Sequence, residues 1–348
     1  MEVYLCLTNL HTSPPPNYYV GSPFCRFRCI FSVTERGCRL TRHLGFGAIL
    51  SASLRKRVKC AFTLAETLIT LGIVGVVAAI VMPTLISEIQ DRHFDAARKR
   101  LVYNVSEAVK ILNTQSKFFD AENSKDFVEN YLKTKLNIVQ TCPTYPISKL
   151  RACGFETRIT SLTNKQIDIM DPYQGSQTPG YGALLSNGTA LMVDYLPNCS
   201  KKPNFDSLWG YITGVNWICV NIIYDLNGQA KPNRVGKDIG FISAIYPDDE
   251  MVIVGPKAYP KLSETYDYYH ADAACKEIDK DLVVPNIEEA ISIGRNWRIY
   301  ADREGGNIMT SNNYKNNNRD DAFNFSINNM TLYRVPATNK FGVVCIKR

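Results

Sequence analysis

The chain has 348 residues, eleven cysteines, four histidines and a net charge of +7, room for about two domains plus an extension. Nine Lys/Arg and two Asp/Glu lie in residues 1–61, which leaves 31 of each sign beyond them. A neutral remainder provides no global field for nucleic acid, so no nucleic-acid partner is expected.

The cysteines divide at the same place. Cys6, Cys25, Cys29, Cys38 and Cys60 precede residue 62, and Cys142, Cys153, Cys199, Cys219, Cys275 and Cys345 follow it. An even number in the second part fits an oxidising compartment and three disulfides, with 15 connectivities open. Only His93 and His270 lie beyond residue 61, with no Cys-x-x-Cys, which argues against zinc. Residues 1–53 hold Pro14-Pro15-Pro16 and no sustained period of 2 or 3.6, so they do not read as a domain. Either translation starts nearer Leu54 or the leader is long; both readings set 1–61 apart from the fold.

Arg55, Lys56, Arg57 and Lys59 then meet an apolar run that reaches about Ile86. Its length exceeds the ~20 residues a membrane helix needs, and the basic flank is expected to stay cytoplasmic. One carboxylate, Glu66, interrupts the run. At roughly 2.5–3.5 kcal/mol for insertion, such a charge points to function. Beyond Pro83, Phe94, Ala97, Leu101, Val105, Ala108 and Leu112 recur at helical spacing, predicting an amphipathic continuation. Arg92, Asp95, Arg98, Lys99 and Arg100 fall mostly on its other faces.

A short helix is expected around Asp126–Leu136, and Cys142 and Cys153 flank Pro143 and Pro146 in a loop suited to a local disulfide. Strands are expected at Tyr181–Leu185 and Thr189–Tyr195 across Asn187-Gly188, a strong hairpin turn. Trp217–Tyr224, Gly240–Tyr246 and Met251–Val254 complete a sheet of four or five strands. Cys199 and Cys219 bracket one of its connections, a sensible place for a second staple. Gly255-Pro256 and Pro260 punctuate a change of composition.

The segment Ala61-Phe62-Thr63-Leu64-Ala65-Glu66, behind its basic run, closely resembles the class III signal and membrane helix of type IV pilins and type II secretion pseudopilins. The resemblance implies cleavage between Ala61 and Phe62 by a prepilin peptidase, methylation of Phe62, and Glu66 as partner for a neighbouring subunit's amine. Ala61, the next smallest side chain, stands where the family most often has Gly. Pro83 lies where pilin helices kink, its ring removing one backbone hydrogen bond. An ordinary signal anchor, the alternative, has no reason to keep Glu66. The loop Asp225–Asp238 resembles one that recurs in pilin-like proteins, where Asp225, Asn227 and Asp238 could offer oxygen ligands to calcium. It lacks the ligand spacing of an EF-hand. The other reading is an Asn-Gly turn with Asp238 capping backbone amides. No other cofactor is expected.

Residues 258–348 resemble the C-type-lectin-like fold through several features in order. Tyr269–Cys275 reads as a first helix, Leu282–Ala290 as a turn and second helix, Thr310-Ser311-Asn312 as a family-like stretch, Ala322–Val335 as a hairpin and Phe341–Ile346 as a last strand. The resemblance implies a Cys275–Cys345 disulfide. The calcium-dependent sugar motifs of animal lectins are absent. The polar stretch Asn312–Asp321, with Asn312, Asn316, Arg319 and Asp320, could contact a glycan or protein, or be a solvated loop.

The expected fold is therefore α+β: a long N-terminal helix, half membrane and half amphipathic, on an antiparallel pilin-like sheet, then a smaller C-type-lectin-like domain. Its divisions are leader 1–61, helix 62–115 with the membrane part 62–86, globular domain 116–257 and C-terminal domain 258–348. The implied function is a minor pilin or pseudopilin displaying a binding domain; a type II secretion component with no adhesive role is the alternative. Implied partners are a prepilin peptidase, other pilin or pseudopilin subunits and an inner-membrane assembly platform. The implied location is the bacterial inner membrane, then a periplasmic or surface filament. The lectin-like fold also carries formylglycine-generating enzymes, which need reactive cysteines. Cys275 and Cys345 read as structural, so the chain is expected not to be an enzyme.

Overall fold

The computed structural model describes residues 63–115, 117–144, 147–169, 180–200, 211–246, 251–297, 306–316 and 319–348. Residues 63–348 form one compact unit. The chain begins it with α1 (Leu64–Thr114), one helix of 51 residues that continues through Pro83. Next come α2 (Ser124–Asp126), a π-helical turn over Phe127–Leu132, β1 (Ile138–Pro143), α3 (Ile147–Leu150), β2 (Arg158–Thr160) and β3 (Gln166–Asp168). The hairpin β4 (Tyr181–Leu185) and β5 (Ala190–Tyr195) turns at Gly188, whose φ of +86° only glycine adopts at no steric cost. Then follow β6 (Tyr211–Ile212), β7 (Ile218–Asp225), β8 (Ile239–Ile245), β9 (Val252–Val254) and β10 (Lys257–Tyr266). The rest comprises α4 (Tyr268–Ile278), α5 (Ile287–Arg295), β11 (Asn307–Asn316), β12 (Arg319–Ser326), β13 (Thr331–Pro336) and β14 (Phe341–Lys347).

Among the described residues the main sheet has six antiparallel strands in the order β1-β4-β5-β7-β8-β9. The extra strand over the expected four or five is β1. It is an edge strand with Val139, Gln140 and Pro143 exposed, so no apolar run marks it. The short helix ends at Leu132, earlier than expected.

One face of this sheet meets the second half of α1. Phe94, Leu101, Val105, Ala108 and Leu112 are buried against Leu191, Val193, Tyr195, Val220, Ile222 and Ala244, with Ala97 partly buried beside them. The opposite face is equally dry. Met192, Ile223, Phe241 and Ile245 pack with Ile287, Ala290 and Ile291 of α5, and with Phe323, Phe325, Leu332 and Ile346 beyond it. Every described residue of β5, β7 and β8 is buried, which is why these strands read as continuous apolar runs rather than alternating ones.

The molecule is therefore α+β, with the sheet sandwiched between α1 and the C-terminal segments. Residues on both sides of 257/258 share one core, and β6 from the earlier part pairs with β13 in a sheet of order β11-β12-β13-β6. The helix α1, the main sheet and these C-terminal segments thus make three layers. A smaller cluster around Ala271, Cys275, Leu282, Val284, Val343 and Cys345 lies within the C-terminal part.

Local chemistry seats α5 on the sheet. Asn286 accepts the Glu289 amide at 2.8 Å while Glu289 accepts the Asn286 amide at 2.8 Å, a reciprocal cap. Asn221 and Asn296 exchange side-chain hydrogen bonds at 2.8 and 3.0 Å, and Ser243 joins Ser292 at 2.7 Å. Such satisfied buried networks fix how one layer sits on another. Gly294 faces the Phe325 ring so closely that a Cβ would collide with it.

Candidate functional site

Three places bear the expected site residues. At the N-terminus, α1 presents Leu64–Ile89 to solvent, all but Thr67 and Ala78 exposed, with Leu64 79% and Ile80 70% exposed. About 26 residues at 1.5 Å each span ~39 Å, more than the ~30 Å of a bilayer core, so α1 is long and apolar enough to cross a membrane. Thr63 caps the helix, its hydroxyl accepting the Glu66 amide at 3.2 Å. Thr67 and Thr70 donate their hydroxyls back to helix carbonyls at 2.9 Å, so this stretch satisfies its own polar groups. The exception is the exposed carboxylate of Glu66, which has no partner among the described residues. Ala61 and Phe62 lie outside the described residues. Pro83 stands inside α1 without ending it.

The second place is the β7–β8 loop. Gly228 and Gly236, at φ +63° and +81°, turn it back on itself, so that Leu226 donates its amide to the Asp238 carbonyl at 2.9 Å. Asp225 and Asp238 are both fully buried. Asp238 accepts the amides of Asn233 and Arg234 at 2.8 and 2.7 Å, which is the capping role expected of it. Asp225 accepts the Asn227 amide at 3.2 Å through one oxygen. Its other oxygen, and the side-chain oxygen of Asn227, are buried with no partner. Burial, and after it the charge of Asp238, pushes the Asp225 carboxyl up to about 8. Burial likewise raises Asp238 above the usual carboxylate range, against four backbone amides.

Two crowded carboxylates and two orphaned oxygens form an electronegative, oxygen-only setting, which suits a hard divalent cation such as calcium. Among the described residues no three His, Cys, Asp or Glu side chains group as metal ligands. A cation here would be held by Asp225, Asn227 and Asp238 together with main-chain carbonyls. The residues present fit that group, because it would satisfy the orphaned oxygens and offset the repulsion.

The third place is the stretch Asn312–Asp321. It is the β11–β12 hairpin, with Asn316 opposite Arg319, and not a free loop. Asn312 is structural: its side chain accepts the Ile287 amide at 2.9 Å, at the start of α5. The side chains of Asn316 and Arg319 lie outside the described part. Asp320 accepts the hydroxyl of Tyr269 at 2.5 Å. Tyr269 is 53% exposed, and its neighbour His270 contacts Asp267 at 2.6 Å. The helix cap Asp267 followed by Tyr268-Tyr269-His270 was the sequence signal for this aromatic edge. Of the expected set, Asn312 meets the start of α5 and Asp320 meets Tyr269.

The cysteines are bonded as Cys142–Cys153, Cys199–Cys219 and Cys275–Cys345. The last pair is fully buried and has no free thiol to react. Compared with models of protein families, with curated proteins and with solved structures, the chain matches none.

Proposed function

We propose that this chain is a pilin-like filament subunit, a minor pilin or pseudopilin, cut between Ala61 and Phe62 and held in the membrane by the first half of α1. One observation carries the reading. An exposed apolar helix with a lone unpartnered carboxylate in its first turn continues, unbroken, into a helix buried in a folded head. In lipid that carboxylate needs a cation, and the freed amine of an adjacent subunit's Phe62 supplies one at the matching depth. On this reading the partners are a prepilin peptidase, sister subunits and an inner-membrane assembly platform. The destination is a periplasmic or surface filament.

The shared core bears on the choice between display and plain assembly. Because residues 258–348 cover one face of the sheet, they are part of the head itself, which favours a type II secretion-like pseudopilus subunit over a detachable adhesive module. A C-type-lectin-like arrangement remains the reading of α4, α5 and β14 joined by Cys275–Cys345. The β7–β8 loop is proposed as a calcium clasp that holds the sheet end closed.

The test is to coexpress the chain with a prepilin peptidase and its assembly proteins, then sequence the N-terminus of the filament-associated form. It should begin with methylated Phe62, and Glu66→Ala should be cut normally yet fail to enter filaments. Any other terminus overturns the reading, as does normal incorporation of Glu66→Ala.

A further inference from the structure

Arg98 stands four residues after Phe94 and three before Leu101, on the buried side of α1, and it is only 5% exposed. Its Nη1 donates to the Gly255 carbonyl at 2.7 Å, and Gly255 lies tight against the helix, a Cβ there meeting Val102 at 2.6 Å. The other two guanidinium nitrogens, Nε and Nη2, are buried with no partner. Those two atoms form one edge of the guanidinium, the edge that grips a carboxylate or phosphate through two parallel hydrogen bonds.

The nearby carboxylates are already engaged. Asp95 pairs with Lys257 at 3.0 Å and Glu289 with Arg348 at 2.8 Å. A guanidinium cannot escape burial by giving up its charge, and an uncompensated buried charge is strongly disfavoured. A void of ≈10 Å³ lined by Arg98, Tyr224 and Lys257 has room for about one water. Water can accept a hydrogen bond there but cannot balance the charge.

Arg98 also lines a cavity of ≈400 Å³ between α1, β9 and Arg348, with Lys99, Arg348 and the Arg348-paired Glu289 as its other charged groups and Val102, Ile253 and Pro256 as walls. That volume lies in the range of small-molecule sites, and apolar walls with a few convergent polar groups are their usual makeup. We propose that this cavity binds a small organic anion, a carboxylate or phosphate on an apolar body, with Arg98 as the fork that receives the anionic end.

A lipid headgroup is a poor source of that anion. Arg98 lies nine residues beyond Ile89, the end of the exposed apolar stretch, hence ~14 Å further along the helix. The headgroup layer on each side of the bilayer is only about 5–8 Å deep. The anion therefore comes from the aqueous side. The proposal rests on the helix–strand junction alone and stands or falls apart from the filament reading.

The full chain in detergent micelles is titrated with phenyl phosphate, phenylacetate and inorganic phosphate, following heat of binding and thermal unfolding. At least one aromatic anion should bind and raise the unfolding temperature, with inorganic phosphate weaker by about tenfold or more for want of the apolar walls. Phenyl phosphate against phenylacetate tells which oxyanion fits better. Arg98→Met should weaken binding by about tenfold or more, as expected for loss of a charge-assisted pair, while the unliganded protein unfolds no earlier than wild type. Ser106→Trp, which fills the cavity and keeps Arg98, should also abolish binding; it decides the matter if Arg98→Met does not fold. Absence of binding by all three anions up to about 10 mM, or binding unchanged in both variants, overturns the proposal.

Discussion

The two faces of the central sheet are covered in opposite ways. One is covered mainly by α1, which precedes the sheet and reaches it from the apolar stretch Leu64–Ile89, with Phe118, Phe127 and Leu132 beside it; the other is covered by a patchwork of α5, β12, β13 and β14 that follows it. The main element of the first cover carries one periodic stripe. The second is assembled from pieces that meet only in three dimensions. Removing part of the first is therefore local, whereas removing the second strips a whole face.

The largest effect should come from testing that contrast by deletion. Ending the chain after Pro256 uncovers Met192, Ile218, Ile223, Phe241 and Ile245. At ~1.5–3 kcal/mol per buried side chain, five of them amount to roughly 8–15 kcal/mol, as much as an entire domain's usual stability. The truncated chain should show no cooperative melting by circular dichroism. A chain starting at Gln90 loses only exposed apolar residues and should melt cooperatively as a soluble protein. If the C-terminal truncation melts cooperatively, the second face is not needed for folding.

Single residues sharpen the same contrast. Phe241→Ala on the second face and Leu191→Ala on the first should each cost ~2–5 kcal/mol by denaturant unfolding. A cost for Phe241→Ala below about 1 kcal/mol would mean that the C-terminal cover is loosely packed. At the sheet end, where β7 hands over to β8, millimolar calcium should raise the unfolding temperature of the Gln90 form. Binding at ~100 times the dissociation constant stabilises by about 2.7 kcal/mol. Asp225→Asn should remove the response, and an equal calcium shift in that variant would place the ion elsewhere.

The smallest effect concerns Asp194, buried on the second face with its carboxylate 3.1 Å from Arg295. Burial raises it above the usual carboxylate range, outweighing Arg295. A carboxyl raised on folding contributes stability that is complete below its unfolded value, near pH 4, and is lost as pH rises through the folded value. Wild type should therefore lose ground to Asp194→Asn as pH climbs from about 4; a gap that stays constant with pH contradicts this.

Much of the first face was legible. The stripe from Phe94 to Leu112 is one periodic signal, and Asn187-Gly188 sets a hairpin whose register follows from the turn. Asn286 and Glu289 announce the start of α5 three residues apart. The second face was harder, although Ile218–Asp225 carried a clue: Val220 and Ile222 serve one face, and the equally apolar Ile218 and Ile223 the other. Two apolar rows require two covers. Arg98 was misplaced because its charge was read over its spacing: it falls in the Phe94–Leu112 stripe, and the carbonyl that receives it lies 157 residues away. The Asn312–Asp321 hairpin was missed for a similar reason, since its polar residues find partners in α4 and at the start of α5.

The three-layer arrangement also sets a timetable for biosynthesis. The last strand, β14, pairs with β10, and its Ile346 exchanges amide hydrogen bonds with Val283 at 2.9 and 3.0 Å. The second face cannot close until β14 has been made. At ~5–20 residues per second, the stretch from Lys257 to Lys347 takes roughly 5–18 s. Throughout that interval the sheet has one apolar face bare. A nascent chain of this design requires a holding factor on whichever side of the membrane its head emerges.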